Sequence, residues 1–564
     1  MNALQETRST RRPRSITGRE VLQVAAVIGA VLLLTSLPYI YAYRSAPPDR
    51  QFMGILLNVP DNAQYLSWAH EFRGAFLIEN KLTPEHGAAV FFNLFWFLIG
   101  RLALWLGLGD AETVELVRPV MGAVFLGAVY WFVSLFDCRP RYRWTSFLVI
   151  ALGGGLGWLL VIAKPMTGAV PAPLDLYVAE PNTFLTVLAF PFQALAGGLL
   201  LLILGLAALA FERDSPRLAV GAGLLALVLG LQHGYDLLIV YAVVGSLTLV
   251  LARRPGRARR SLALGALVCL WSLPAAFYAA YLARLSPIWR GVFAQYGNAG
   301  VFTPPPAHLL ILLGLPLILL AAGRPLARGG DGSPRDLLLR LWLIIGLFLL
   351  YIPTDFQIKM LSDWQVPVGI LGTEAALAGI APGRWPIPRI PGLSWTEGTA
   401  LLLIVLVLPT NLYLFTWRFV DLGRHDYPYY LDRDDVAALR WIADHAAPSD
   451  VVLSSLTIGE YVPALTGAHA FLAHWAETLN FYEKRTMVAR FFDPREDENT
   501  RQQILSRFGI RYVLVGPAEH AVGSFNPSTS ACLQIAFSAG RTTVYAVRPS
   551  CQALPASSRS SGVQ

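Results

Sequence analysis

Apolar stretches long enough to form helices recur along this chain, separated by short loops that carry arginine, and this alternation constrains the fold more than any motif does. Inside a bilayer every backbone N–H and C=O must be paired within the protein, so such stretches fold as α-helices. Composition agrees: the chain is 55% hydrophobic and only 15% charged, where soluble domains carry roughly 25% charged residues. The net charge of +8 comes from arginines in short loops, the topology signal of a membrane protein. Membrane lipids are therefore expected partners. No basic patch interleaved with aromatics points to nucleic acid. The four cysteines are too few for a disulfide scaffold and show no zinc spacing. Cys138 and Cys269 fall in or near apolar stretches; Cys532 and Cys551 can pair if the C-terminal part faces an oxidising space.

Arg8, Arg11, Arg12, Arg14 and Arg19 precede the first stretch, Glu20 to Tyr43, which ends in Tyr39, Tyr41, Tyr43 and Arg44 with no small-residue cleavage site. It reads as a span starting in the cytoplasm, not as a signal peptide. The stretches Ala88–Gly107 and Val114–Phe136 follow. If both crossed, Arg139, Arg141 and Arg143 would lie outside, against the positive-inside rule. Ala88–Gly107 carries Asn93 and Arg101 and follows Pro84-Glu85-His86-Gly87, so it is expected to lie on the outer surface. Spans at Thr145–Ala163, Phe184–Ala210, Leu218–Leu231, Leu237–Leu251, Ser261–Leu282, Leu309–Ala322, Leu337–Pro353, Val366–Ile380 and Thr399–Trp417 then alternate with arginine-bearing inner loops, including Arg253 to Arg260, Arg324 and Arg328, and Arg384 and Arg389. This gives about eleven spans, N-terminus in and C-terminus out.

The C-terminal part changes character. Asp432–His445 has helical spacing; Asp450–Leu453, Ala468–Leu472 and Tyr512–Val515 read as strands; Ile504–Gly509 ends a helix; Leu533–Phe537 and Thr542–Val547 flank a hairpin turn. The run His474–Arg485 reads as the start of an amphipathic helix. The expected organisation is a basic cytoplasmic N-terminus over 1–19, a membrane domain over 20–417 with an outer loop 44–113 and its surface helix 88–107, a small extracytoplasmic α/β domain over 418–556, and a disordered tail over 557–564.

This topology gathers one set of polar residues on the outer face: Asp61, Arg73, Glu79, Glu85 and His86; Asp175, Glu180 and Asn182; His233 and Asp236; Asp355, Lys359 and Asp363. A carboxylate there can act as a general base, and a cation can hold a phosphate. Each residue also has a plain reading. Asp61 at the head of NAQYLSWAHEF can be a helix N-cap, half-buried against Tyr65 and Trp68. Lys359 can pair with Asp355 four residues away. Gln232 to Asp236 can simply close two spans, and Asn182 can cap a helix.

With an acidic residue shortly after span one (Asp61), a segment leading into a surface helix (Thr83 to Ala103), a late outer loop with a cation beside a span (Asp355 to Pro367) and an outer α/β domain, the chain resembles the polytopic glycosyltransferases of the GT-C fold, the protein O-mannosyltransferase and aminoarabinose transferase relatives. The Asp-x-Asp pair of several relatives is replaced by Asp61-Asn62-Ala63. A divalent metal is therefore not indicated, and no cofactor is expected. The resemblance implies transfer of a sugar from a polyprenyl-phosphate donor to a lipid, glycan or protein acceptor at the outer face of the cell membrane, with inversion. It implies that Asp61 takes the acceptor proton and that Lys359, with Arg73 or His233, holds the lipid phosphate, His86, Glu180 and Asp236 completing the substrate set. The alternatives are a transporter or flippase of lipid-linked sugars, for which Glu374 inside Val366–Ile380 is the residue to test, and a non-catalytic membrane protein.

Overall fold

The computed structural model describes residues 16–136, 139–300, 302–323, 332–379 and 391–552. The arginines Arg8 to Arg14, Arg324, Arg328, Arg384 and Arg389, Cys138 and the tail 557–564 lie outside the described residues. Every apolar stretch picked out above contains a helix, and several are interrupted. Among the described residues four helices, Gly18–Ser45, Asp110–Phe136, Pro191–Glu212 and Trp395–Leu422, are long and apolar enough to cross a membrane, and three bent pairs raise the number to seven if each is one span. The count of eleven is higher because several stretches are short or broken. Pro216–Gln232 and Asp236–Ala252 have 17 residues each, about 26 Å at 1.5 Å per residue, against a hydrocarbon core of about 30 Å. The stretch around Leu309–Ala322 divides into Pro306–Leu313 and Leu315–Gly323, bent by 118°. Gly314 makes that bend with φ +64°, a left-handed conformation that favours glycine.

Contacts divide the chain into two units: 1–37, 116–278 and 301–419 form one, and 38–115, 279–300 and 420–564 form the other. The first unit is helical. Its most buried helix, Pro191–Glu212, is apolar all round, as expected of a helix enclosed by others.

The second unit is α/β. Strands β1 (Arg50–Phe52) and β2 (Tyr430–Asp432) pair antiparallel. Strands β3 (Val451–Leu453), β4 (His469–Ala470), β5 (Ile510–Val515), β6 (Leu533–Ala539) and β7 (Thr542–Val547) form a five-stranded sheet of order β4-β3-β5-β7-β6. The expected strands and the β6–β7 hairpin are all present. Because strand side chains alternate, Val452, Tyr512, Leu514 and Val544 face one core together with Val436, Leu439 and Ile442 of helix Arg433–His445. Val451, Leu453, Val513, Val515 and Tyr545 face another, with Phe491, Phe492 and Leu505. The first core also contains Met53, Ile55, Val59, Ala63 and Leu82, so residues between the first and second long helices are part of the packing that holds the sheet. Cys532 and Cys551 are disulfide-bonded, with Cα atoms 5.6 Å apart.

The surface stretch is helical only over Leu94–Leu106. Asn93 caps it by accepting from Trp96 N at 3.2 Å, and Phe91 just before it bridges to Ile78 as a strand-like pair. At 13 residues it is about 20 Å long, too short to cross, and Leu98, Leu104 and Trp105 are exposed.

Candidate functional site

Asp61 sits in the first turn of helix Val59–Phe72, and Asn58 rather than Asp61 is the N-cap residue. The helix starts earlier than its polar run suggests because Pro60 is favoured in a first turn. Asp61 is therefore not bound up in capping. Its Oδ2 accepts from Asn58 Nδ2 at 2.7 Å. Its Oδ1 accepts from Trp475 Nε1 at 3.2 Å and faces His474 Nε2 at 3.0 Å. Tyr65 stacks on Trp96 with ring centres 5.0 Å apart, and Trp68 packs against Phe91 at 4.5 Å.

His474 and Trp475 do not begin a helix. That helix starts at Phe481, and the residues before it form a turn-rich loop stapled by distant segments. Thr478 Oγ1 accepts from His474 N at 3.1 Å and donates to Leu82 O at 2.6 Å. Asn298 Nδ2 donates to Trp475 O at 2.9 Å, Gln295 Nε2 to Ala476 O at 2.8 Å, and Asn80 Nδ2 to Glu477 O at 2.9 Å. Local sequence carries no signal for this, since the partner of His474 is 413 residues away.

Two buried carboxyls accompany Asp61. Glu477 accepts from Gln64 Nε2 at 2.7 Å; burial, and after it the charge of Asp61, pushes it up to about 8. Glu460 accepts from Tyr427 Oη at 3.0 Å; burial pushes it up to about 8, the Tyr427 hydrogen bond opposing and the Asp61 charge adding. At neutral pH both are largely protonated.

Other expected residues of this unit are differently engaged. Arg73 donates to Asp110 Oδ1 at 2.9 Å and to Leu108 O at 2.8 Å. His86 packs edge-on to His469 with ring centres 4.4 Å apart. Partial desolvation and the neighbouring His469 hold His86 below the usual histidine range, so it is a weak cation for a phosphate. His469 is fully buried, its Nδ1 2.9 Å from Thr83 O and its Nε2 3.3 Å from Glu79 Oε1. The His469 contact, against partial burial, holds the Glu79 carboxyl below the usual range. Glu79, His86 and His469 offer one ligand atom each within 4.8 Å of one another, a nitrogen and oxygen set that suits zinc.

The helical unit gathers the remaining set. Lys359, in the turn Gln357–Leu361, lies 2.7 Å from Glu180 Oε1 and not against Asp355. Gln193 Nε2 also reaches Glu180 at 3.4 Å. Asn182 caps helix Thr183–Ala189 by accepting from Leu185 N at 3.1 Å. In the turn between two helices, His233 Nδ1 lies 2.9 Å from Asp236 Oδ2. Glu180, Gln193, His233, Asp236, Ser362 and Asp363 line one cavity. Asp363, with φ +55°, is buried against Gly197, where a Cβ would come within 2.6 Å of its Oδ2. Burial, and after it the charge of Asp236, pushes the Asp363 carboxyl well above the usual range. Four of the residues expected around a lipid phosphate, Lys359, Glu180, His233 and Asp236, thus meet in one unit, whereas Arg73 and His86 belong to the other.

No protein-family model matches the sequence. No curated protein matches it at the sequence level either. Solved structures do match in fold. ArnT from Cupriavidus metallidurans bound to undecaprenyl phosphate superposes with TM-score 0.50 at 15% identity, over 93% of this chain and 99% of that one. The oligosaccharyltransferase of Archaeoglobus fulgidus in the apo form gives 0.55 at 12% identity, over 87% and 69%. The arabinofuranosyltransferase AftD from Mycobacteria gives 0.52 at 16%, over 96% of this chain but 40% of AftD. These are membrane glycosyltransferases of the GT-C fold, and the chain shares that fold.

Proposed function

We propose that this GT-C-fold chain is a membrane glycosyltransferase that moves a sugar from a polyprenyl-phosphate donor to a lipid, glycan or protein acceptor at the extracytoplasmic face, with Asp61 as general base. The observation that carries this reading is the carboxylate of Asp61 itself, held by donors from Asn58 and Trp475 and faced by His474, with Glu460 and Glu477 pushed up to about 8 beside it. Of the three carboxyls, Asp61 is the one with an N–H donor on each oxygen, from Asn58 and from Trp475. In the proposed step the acceptor oxygen attacks the anomeric carbon opposite the phosphate. Asp61 takes the hydroxyl proton, the sugar–phosphate bond breaks, and polyprenyl phosphate leaves with the bonding pair, inverting the anomeric carbon. The undecaprenyl phosphate bound to the Cupriavidus enzyme supports a lipid phosphate as leaving group. Lys359 meets it by exchanging Glu180 for the phosphate oxygens. The Cys532–Cys551 disulfide supports an extracytoplasmic C-terminal part, because disulfides persist in oxidising compartments. The chemistry uses no cofactor.

Asp61→Asn tests the mechanism. It preserves size and one acceptor oxygen and removes the base. Purified variant, assayed with polyprenyl-phosphate sugars, should fold as the parent does and turn over at least about a hundredfold more slowly, the usual scale of a general base. Transfer at the parent rate would refute the mechanism.

A further inference from the structure

The His474 ring faces Asp61 through Nε2, and its tautomer is fixed from behind. Its Nδ1 lies 3.2 Å from the backbone nitrogens of both Ala476 and Glu477, and both N–H groups donate to it. A ring nitrogen that accepts cannot carry the proton, so neutral His474 is protonated at Nε2. That Nε2 lies 3.0 Å from Asp61 Oδ1. The side chain is 3% exposed, and the loop that carries it is stapled by Asn80, Leu82, Gln295 and Asn298. The ring has no room to swing and no site for a second proton while its back nitrogen accepts.

We infer that His474 is a positioning residue for Asp61: it points the carboxylate and stabilises its charged form as a fixed Nε2–H donor, and it does not relay the proton that Asp61 receives. This rests on the reading of Asp61 as the base. It makes the C-terminal α/β part a contributor to the catalytic centre, because the donor comes from a loop 413 residues beyond the base. Trp475 Nε1, on the same oxygen at 3.2 Å, is the second fixed donor. A proton relay would need Nδ1 to release a proton as Nε2 takes one, and two backbone donors already occupy Nδ1.

The test compares His474→Ala, His474→Gln and Asp61→Asn in the full-length protein, each normalised to folded enzyme and assayed with a polyprenyl-phosphate sugar. The glutamine amide nitrogen supplies an N–H near the position of Nε2 but cannot shuttle a proton. Expected for His474→Ala is a turnover about 10–100-fold lower, the effect of losing a hydrogen bond to a charged group. The Michaelis constant for the lipid donor should stay within about twofold, and the acidic limb of the pH–rate profile should move to higher pH, because the carboxylate has lost a donor. His474→Gln should recover most of the rate and return the limb. If the glutamine variant is as slow as the alanine variant, with both folded, His474 is a proton relay and the inference is overturned. If His474→Ala lowers thermal stability but leaves turnover per folded molecule and the pH profile unchanged, its role is structural and the inference again fails. An active Asp61→Asn protein would instead sink the underlying reading, so the two failures are distinguishable.

Discussion

The ammonium of Lys359 lies 2.7 Å from Oε1 of Glu180, closing an ion pair across 179 residues of chain. The lysine side chain is 32% exposed and the glutamate 7%, so the cation sits at the open side of the pair. In the proposed reading an incoming lipid phosphate competes with Glu180 for it.

Replacing Lys359 with Met keeps the stem and deletes the charge. The expected result is a rise of about tenfold or more in the apparent Michaelis constant for the polyprenyl-phosphate donor, as for loss of one hydrogen bond to a charged group, with turnover at saturating donor retained. Unchanged lipid dependence in the folded variant would remove Lys359 from the donor site.

The raised carboxyl of Glu477 makes stability depend on pH. Folded, it titrates at about 8; an ordinary glutamate titrates near 4.5. Between those values the folded state keeps a proton that the unfolded chain has released, so stability falls as pH rises through that window. Glu477→Gln removes this contribution. From pH 5 to 8 the variant should gain on the parent by on the order of 1–3 kcal/mol, read as a smaller drop in Tm. The slope that remains includes Glu460 and Glu71, both also pushed up to about 8, and Asp435, pushed up to about 6. Parallel Tm curves for parent and variant would show that Glu477 is ionised throughout.

Glu79, His86 and His469 bring two imidazoles and a carboxylate to one point. Adding zinc to metal-stripped protein should raise Tm, since a ligand bound only to the folded state stabilises it. His86→Ala, a change at an exposed position, should abolish the rise while leaving the metal-free Tm close to the parent's. A rise of equal size in the variant would assign the effect to other residues.

Sidedness is open to a direct measurement. A reporter fused after Leu108 should read extracytoplasmic, and peptide mapping of native protein should recover Cys532 linked to Cys551, with Cys269 as a free thiol. A cytoplasmic signal at Leu108 would overturn the proposed orientation.

The periodic signals were enough to determine the local elements. Apolar run length and the positions of glycine and proline fix where helices form, and alternation fixes the strands β3, β5, β6 and β7, because both depend on neighbours a few residues apart. Asn182 as a cap is legible for the same reason. The sequence could not show that Gly314 turns its stretch by 118°. Nor could it show that Met53, Ile55 and Val59 of the first loop share a core with Val452 and Leu514. Lys359 ignores Asp355, its neighbour four residues back, and takes Glu180. His474, legible only as one polar residue in a helix-like run, acquires its role from Asp61 at the other end of the chain. These partners are set by tertiary packing, because a side chain's hydrogen bonds and its loss of water depend on what folding brings beside it, and that environment is assembled from segments hundreds of residues apart.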